Sequence, residues 1–167
     1  MAERSTRSLN HYLALGLSPA FWEAPPEERA RIGREFGSAM ESVAEKTYTY
    51  RVFPARPDVD LLLWSAVNVE SPSTAQKFFG DFARCLGRFR RYVSPIDTLW
   101  GFTRASDYAS GRPAQEIDPF GGDRKPYLVI YPFAKTTEWY LMSRDARQGM
   151  MNEHIRIGRE FTEITQL

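Results

Sequence analysis

His154, one of only two histidines in the chain, lies where residue spacing could support metal chemistry. Steps of three and four residues connect a set that a helix would carry on one face: Ala146, Met150, His154, Ile157 and Phe161. A neutral imidazole on such an apolar face is suited to binding a redox iron cofactor. The alternative is a structural histidine that is satisfied within the core.

A second group of residues with chemical potential precedes this helix. The segment YPFAK (residues 131–135) places Tyr131 near the end of an apolar stretch and Lys135 in the following loop. The tyrosine could exchange an electron and a proton, and the lysine could hold a carboxylate. Trp139 and Tyr140 could form a wall for a flat macrocycle. Alternatively, the aromatic residues belong to the core and Lys135 is a solvated loop charge.

Composition excludes several classes of function. The 22 Lys and Arg residues nearly balance 21 Asp and Glu, so the net charge of +1 favours neither nucleic acid nor an anionic membrane. The single Cys85 excludes an internal disulfide and a cysteine-rich zinc site. No apolar run reaches the roughly 20 residues of a membrane span, and the first seven residues lack the apolar stretch of a secretory signal. We therefore expect a cytoplasmic protein without a membrane span.

Periodicity predicts one complete α+β unit in residues 1–104. Alternating apolar residues predict strands at 9–17 and 48–52, and mostly apolar runs predict strands at 59–69 and 89–103. Helices are predicted to begin at Pro25 and Ser71. The order β-α-β-β-α-β is that of a ferredoxin-like fold.

After a linker at 105–125, rich in Gly, Pro, Ser and Asp, the pattern restarts in residues 126–167. A strand is predicted at 126–133 and a helix from Ser143 to about Phe161, which is only the first β-α of a second unit. The hexapeptide RIGREF occurs in the first helix of each unit, at 31–36 and 156–161. Duplication and coincidence both explain it, since aligning the helices from their starts puts the copies about two turns out of register.

These segments together resemble a known family. The residues that carry the resemblance are YPFAK (131–135), WYL (139–141), RDAR (144–147), MMNEH (150–154) and Gly158-Arg159. They are similar to a block shared by chlorite dismutases and coproheme decarboxylases, and the spacing from Tyr131 to His154 matches the actinobacterial-type decarboxylases. Weaker similarity covers the N-terminal unit, at Phe21-Trp22 and LLLW (61–64).

The resemblance implies a fold of the dimeric α/β barrel type, a pentameric homo-oligomer, and haem b or iron coproheme in the C-terminal unit. His154 would be the proximal iron ligand, and Lys135 would contact a propionate. Tyr131 would be the radical-forming tyrosine that, with hydrogen peroxide as oxidant, converts propionates to vinyl groups. Trp139 and Met150 are predicted to contact the cofactor.

Three departures from the family pattern qualify this expectation. The position of the distal arginine of chlorite dismutases falls on Leu167, so chlorite decomposition is not expected. Residues 105–125 contain no histidine to take the distal role of the actinobacterial-type decarboxylases. The strands and helix that would close the second unit are expected after Leu167. The sequence is therefore apparently truncated, either as a fragment of a longer chain or as a whole gene product.

Three functions remain open on this evidence. The first is a coproheme decarboxylase-like enzyme. The second is a haem-binding relative that lacks decarboxylase activity. The third is a haem-free ferredoxin-like module that serves oligomerisation.

Overall fold

The computed structural model describes residues 7–103, 117–121, 125–161 and 163–164. The chain divides into two compact units, Met1–Arg104 and Ala105–Leu167. The predicted linker lies largely outside the described residues. The elements of the N-terminal unit are β1 (Ser8–Leu17), α1 (Pro19–Glu23), α2 (Pro26–Glu41), β2 (Lys46–Arg51), β3 (Leu61–Asn68), α3 (Thr74–Gly87) and β4 (Val93–Phe102).

The four strands form one antiparallel sheet in the order β2-β3-β1-β4. Leu13 of β1 pairs with Leu63 of β3 on one side and with Thr98 of β4 on the other. This topology confirms the predicted ferredoxin-like α+β fold. The short helix α1 was not predicted, because five residues are too few to show helical periodicity.

One face of the sheet packs against α2 and α3. Alternate residues of β1 and β3 point to this face and are buried against aromatic and aliphatic helix residues. The core consists of Leu9, Leu13, Leu15, Phe36, Met40, Leu63, Val67, Phe78, Phe82, Cys85, Leu86, Phe89 and Val93. The apolar helix stripes and the period-two pattern of the strands therefore meet as the sequence predicts.

The opposite face of the sheet carries a hydrogen-bonded polar and aromatic group. The Trp64 Nε1 donates to Asn10 Oδ1 over 2.9 Å, and Asn10 Nδ2 donates to Thr103 Oγ1 over 2.8 Å. The Trp64 ring stacks between Tyr12 and Tyr48. Burial, together with the neighbouring Tyr50, raises the pKa of Tyr12 to about 12, so this phenol stays neutral.

The described residues of the second unit include the helices α4 (Thr137–Leu141) and α5 (Arg144–Gly158). Helix α5 begins after its predicted N-cap, Ser143, and ends three residues before Phe161. The predicted strand at 126–133 is not observed, since these residues pair with no other described residues. The prediction was wrong on this point, because an extended segment becomes a strand only when a neighbour pairs with its backbone.

His11, the other histidine, lies in β1 on the helix-facing side. Its ring is 4% exposed and makes edge contacts with three phenylalanines of α3, with the closest centroid, that of Phe82, at 4.8 Å. Its Nε2 shares a 2.9 Å hydrogen bond with Thr98 Oγ1 of β4. Desolvation lowers the pKa of His11 from 6.5 to about 4.

This buried imidazole predicts a pH dependence of stability. Because the unfolded chain binds the proton more readily than the folded chain, the contribution of neutral His11 is complete above pH 6.5 and is lost as the pH falls toward 4. We expect a loss of up to about 3 kcal/mol in the free energy of unfolding. Urea denaturation at a series of pH values should show it. The His11→Phe variant should lose less stability over the same range, and an identical pH profile for both proteins would contradict the prediction.

Candidate functional site

Tyr131 lies on a segment that belongs to no helix or strand and that exposes several large apolar side chains. Tyr127, Val129, Tyr131 and Phe133 are 86, 77, 69 and 77% exposed. The Tyr131 and Phe133 rings stack with their centroids 6.1 Å apart. The phenol is therefore accessible from outside the protein, and it is not a buried core aromatic.

Lys135 lies just before helix α4, and its side chain contacts Trp139. The Lys135 Nζ is 4.8 Å from the centroid of the Trp139 ring, in cation–π geometry. The Thr136 hydroxyl caps α4 by accepting a hydrogen bond from the Trp139 backbone N–H. Hydrogen bonds from its own backbone N–H and from the Thr136 hydroxyl hold the pKa of Glu138 below its usual range. The cap thus places an ammonium and an indole side by side.

His154 lies in the last two turns of α5, and its side chain is exposed. Ser143 Oγ accepts from the Ala146 N–H at the start of the helix, and Asp145 in the first turn suits the helix dipole. Met150, one turn before His154, is 51% exposed, and Ile157 is 43% exposed. No described residue of α5 is buried. The apolar stripe that the sequence predicts is therefore present but uncovered.

The repeated hexapeptide shows how different the surroundings of the two helices are. The ion pair is the same in both copies, with Arg31 2.8 Å from Glu35 and Arg156 3.1 Å from Glu160. Burial of the apolar residues differs. Ile32 and Phe36 are 3 and 6% exposed, whereas Ile157 and Phe161 are 43 and 55% exposed. The same six residues thus line a packed core in one unit and an open face in the other.

The donor set limits what kind of metal group this unit could hold. Among the residues that the structure describes, no three His, Cys, Asp or Glu side chains come together as a metal-binding cluster. A single imidazole suffices only where the other ligands come with the metal, as they do in a macrocycle. The lone His154, with apolar Met150 on the same face and a separate ammonium at Lys135 for a carboxylate, fits an iron porphyrin in its donor chemistry.

The predicted site residues all lie in the same unit but on different elements. The structure joins Lys135 to Trp139 and Tyr131 to Phe133. His154 and Met150 lie on α5, separately from these pairs. Sequence reasoning gave no role to the remaining histidine, His11, because an isolated histidine in an alternating strand carries no distinguishing signal. In the described part of the chain, no helix has the length and apolar character of a membrane span.

Comparison with known proteins relates the chain to a family. A coproheme decarboxylase of Mycolicibacterium smegmatis is 29% identical, with the match covering 98% of this chain and 72% of the relative. A coproheme decarboxylase of Staphylococcus carnosus is 24% identical over 86% of this chain and 63% of its own length. A chlorite dismutase of Ideonella dechloratans is 24% identical, and this chain spans half of its length.

Structural comparison agrees with the sequence matches. A mutant chlorite dismutase from Candidatus Nitrospira defluvii superimposes with a TM-score of 0.69 at 21% identity, covering 92% of this chain and 66% of that chain. This likeness supports the fold. The family model described as chlorite dismutase matches residues 29–167, which is well over half of the sequence. The protein therefore belongs to the chlorite dismutase family.

Proposed function

We propose that this protein binds iron coproheme through its second unit and carries out the peroxide-dependent decarboxylation of coproheme propionates to vinyl groups. The observation that carries the proposal is the match to a coproheme decarboxylase over 98% of the chain, which includes Tyr131, Lys135 and His154. The exposure of all three side chains supports it, since a ligand can reach each of them.

Each residue has a distinct part in this proposal. His154 would bind the iron through one ring nitrogen, and Met150 would contact the ring edge. Lys135, held over Trp139, would neutralise a propionate carboxylate. The chemistry that bound iron coproheme supplies is oxidation driven by peroxide. Tyr131 would release its phenolic proton and one electron and then recover a hydrogen atom from a propionate side chain. Peroxide is the two-electron oxidant, so the second electron of the conversion would also pass to the peroxide-derived oxidant as carbon dioxide leaves and the vinyl group forms.

The open apolar side of the second unit must be covered for this site to work. Water reaches the Tyr131 ring and the His154 face in the described residues, and reactive intermediates are protected only in a closed site. We propose that further chain or a partner subunit supplies the cover. The family pentamer is the assembly that the proposal favours.

The first prediction from the proposed function concerns the iron ligand. Titration with iron coproheme should shift the Soret band of the ligand, and His154→Ala should abolish the shift because it removes the one histidine of residues 105–167. Asn152→Ala is the matched control, since this exposed residue lies on the same helix and offers no comparable ligand. An unchanged Soret shift in His154→Ala would refute the assignment. Absence of any shift in the wild-type protein would favour the haem-free module.

The second prediction concerns the tyrosine. With peroxide, mass spectrometry of the porphyrin should show the loss of carbon dioxide in the wild-type protein. The Tyr131→Phe variant should still bind coproheme but lose at least 100-fold in decarboxylation rate, on the order of a lost general acid–base group. Tyr127→Phe is the matched control. This tyrosine lies four residues before Tyr131 and is also exposed, so the variant should keep the activity. If the wild-type protein binds coproheme but leaves it unchanged, decarboxylation is refuted and the haem-binding relative without decarboxylase activity is favoured.

The third prediction concerns assembly. The exposed side of residues 127–133 should drive association, because it presents four large apolar side chains to water. Analytical ultracentrifugation should show oligomers of the wild-type chain and a shift toward monomer for the Val129→Lys, Phe133→Lys double variant. Asn152→Lys, which adds a charge elsewhere in the unit, should leave the distribution unchanged. A wild-type chain that remains monomeric at high concentration would contradict the proposal.

A further inference from the structure

The N-terminal unit contains a groove that the proposed function does not use. It lies between α3 and the edge strand β4 and has a volume of about 560 Å³, within the range of small-molecule sites. Its walls are mainly apolar and aromatic. The lining includes His11, Phe79, Ala83, Asp97, Thr98 and Trp100.

Two aromatic side chains give the groove a flat, exposed wall. Trp100 is 54% exposed, and its ring lies edge-on to Phe79 with the centroids 5.2 Å apart. Ile96 on the same strand is 44% exposed. Aromatic walls of this kind gain most from a planar ligand, because stacked and edge contacts add to the burial of apolar area.

Beneath the groove lies a polar pair that a purely structural core would not need. The Thr98 side chain is exposed, and its Oγ1 is bonded to Nε2 of the buried His11. The other ring nitrogen, Nδ1, is buried and has no hydrogen-bond partner among the described residues. Such an unpartnered group destabilises a fold, so a neutral phenylalanine or leucine would pack here at less cost. The pair instead places one oriented hydroxyl on a mainly apolar surface.

The charged residues that line the groove limit the class of ligand that it can bind. Asp97 is the one charged residue among those described as lining the groove, and no lysine or arginine lines it. An anionic ligand would therefore meet repulsion without a compensating cation. Carboxylate-bearing porphyrins do not suit this groove.

We propose that the groove between α3 and β4 binds a neutral, planar aromatic compound with one hydroxyl or N–H group, which hydrogen-bonds to Thr98 Oγ1. His11 is a positioning residue that orients the Thr98 hydroxyl from below. Neither role depends on the proposed coproheme site, because all of these residues belong to the N-terminal unit.

Binding of 2-naphthol to the intact chain tests the proposal, since its hydroxyl can donate or accept. In ¹⁵N-edited NMR spectra, titration should shift the indole N–H signal of Trp100. The signals of Trp22 and Trp139, which do not line the groove, should stay unchanged and serve as internal references. Ala83→Trp should fill the groove and abolish binding, whereas Ala83→Ser should bind normally. Thr98→Val should weaken binding about tenfold, the effect of one lost hydrogen bond.

The positioning role of His11 has its own readout. In the wild-type protein, 2-naphthol should bind more tightly than naphthalene, because its hydroxyl bonds to Thr98 Oγ1. His11→Phe keeps an aromatic ring at this position but removes the hydrogen bond that orients the Thr98 hydroxyl. In this variant the two compounds should bind with equal affinity, and the affinity for naphthalene should be unchanged. Failure of Trp100 to respond at millimolar 2-naphthol would overturn the proposal. Equal binding by Ala83→Trp, or equal affinity for naphthalene-2-sulfonate, would overturn it as well.

Discussion

The antiparallel pairing of β1 with β3 on one side and β4 on the other is the interaction on which the N-terminal unit depends. It places β1 at the centre, so that Leu9, Leu13 and Leu15 are covered by helices while Asn10 and Tyr12 lie on the opposite face. The register also brings His11 next to Thr98 across the sheet. Both the hydrophobic core and the polar pair beneath the groove follow from this single pairing.

The second unit shows what happens where no such pairing is present among the described residues. Residues 126–133 have the alternation of a strand, and α5 has the stripe of an amphipathic helix, yet both leave their apolar sides exposed. Helix α5 still forms, because its N-terminal cap and its i to i+4 contact between Gln148 and Asn152 are local. A strand needs a partner from elsewhere in the chain or from another chain. Tyr131 and His154 are both exposed in the described part of this unit.

The first unit has a packed hydrophobic core, whereas the described helix α5 of the second unit has no buried residue. The family membership and the 98% coverage by a coproheme decarboxylase match give the open residues their proposed roles. The match covers between 50 and 72% of the length of these curated relatives. The N-terminal groove is different, since all of its walls come from the unit that is already packed.

Local sequence determined the helices α2, α3 and α5, the strands of the first unit and the family block around Tyr131 and His154. These depend on periodicity, caps and residue type, which short stretches carry in full. Tertiary structure alone decided burial. The hexapeptide RIGREF makes the same ion pair in both copies, yet Phe36 is buried and Phe161 is exposed. The contact of His11 with Thr98 was likewise invisible in sequence, because residues 87 positions apart meet only when the strands pair.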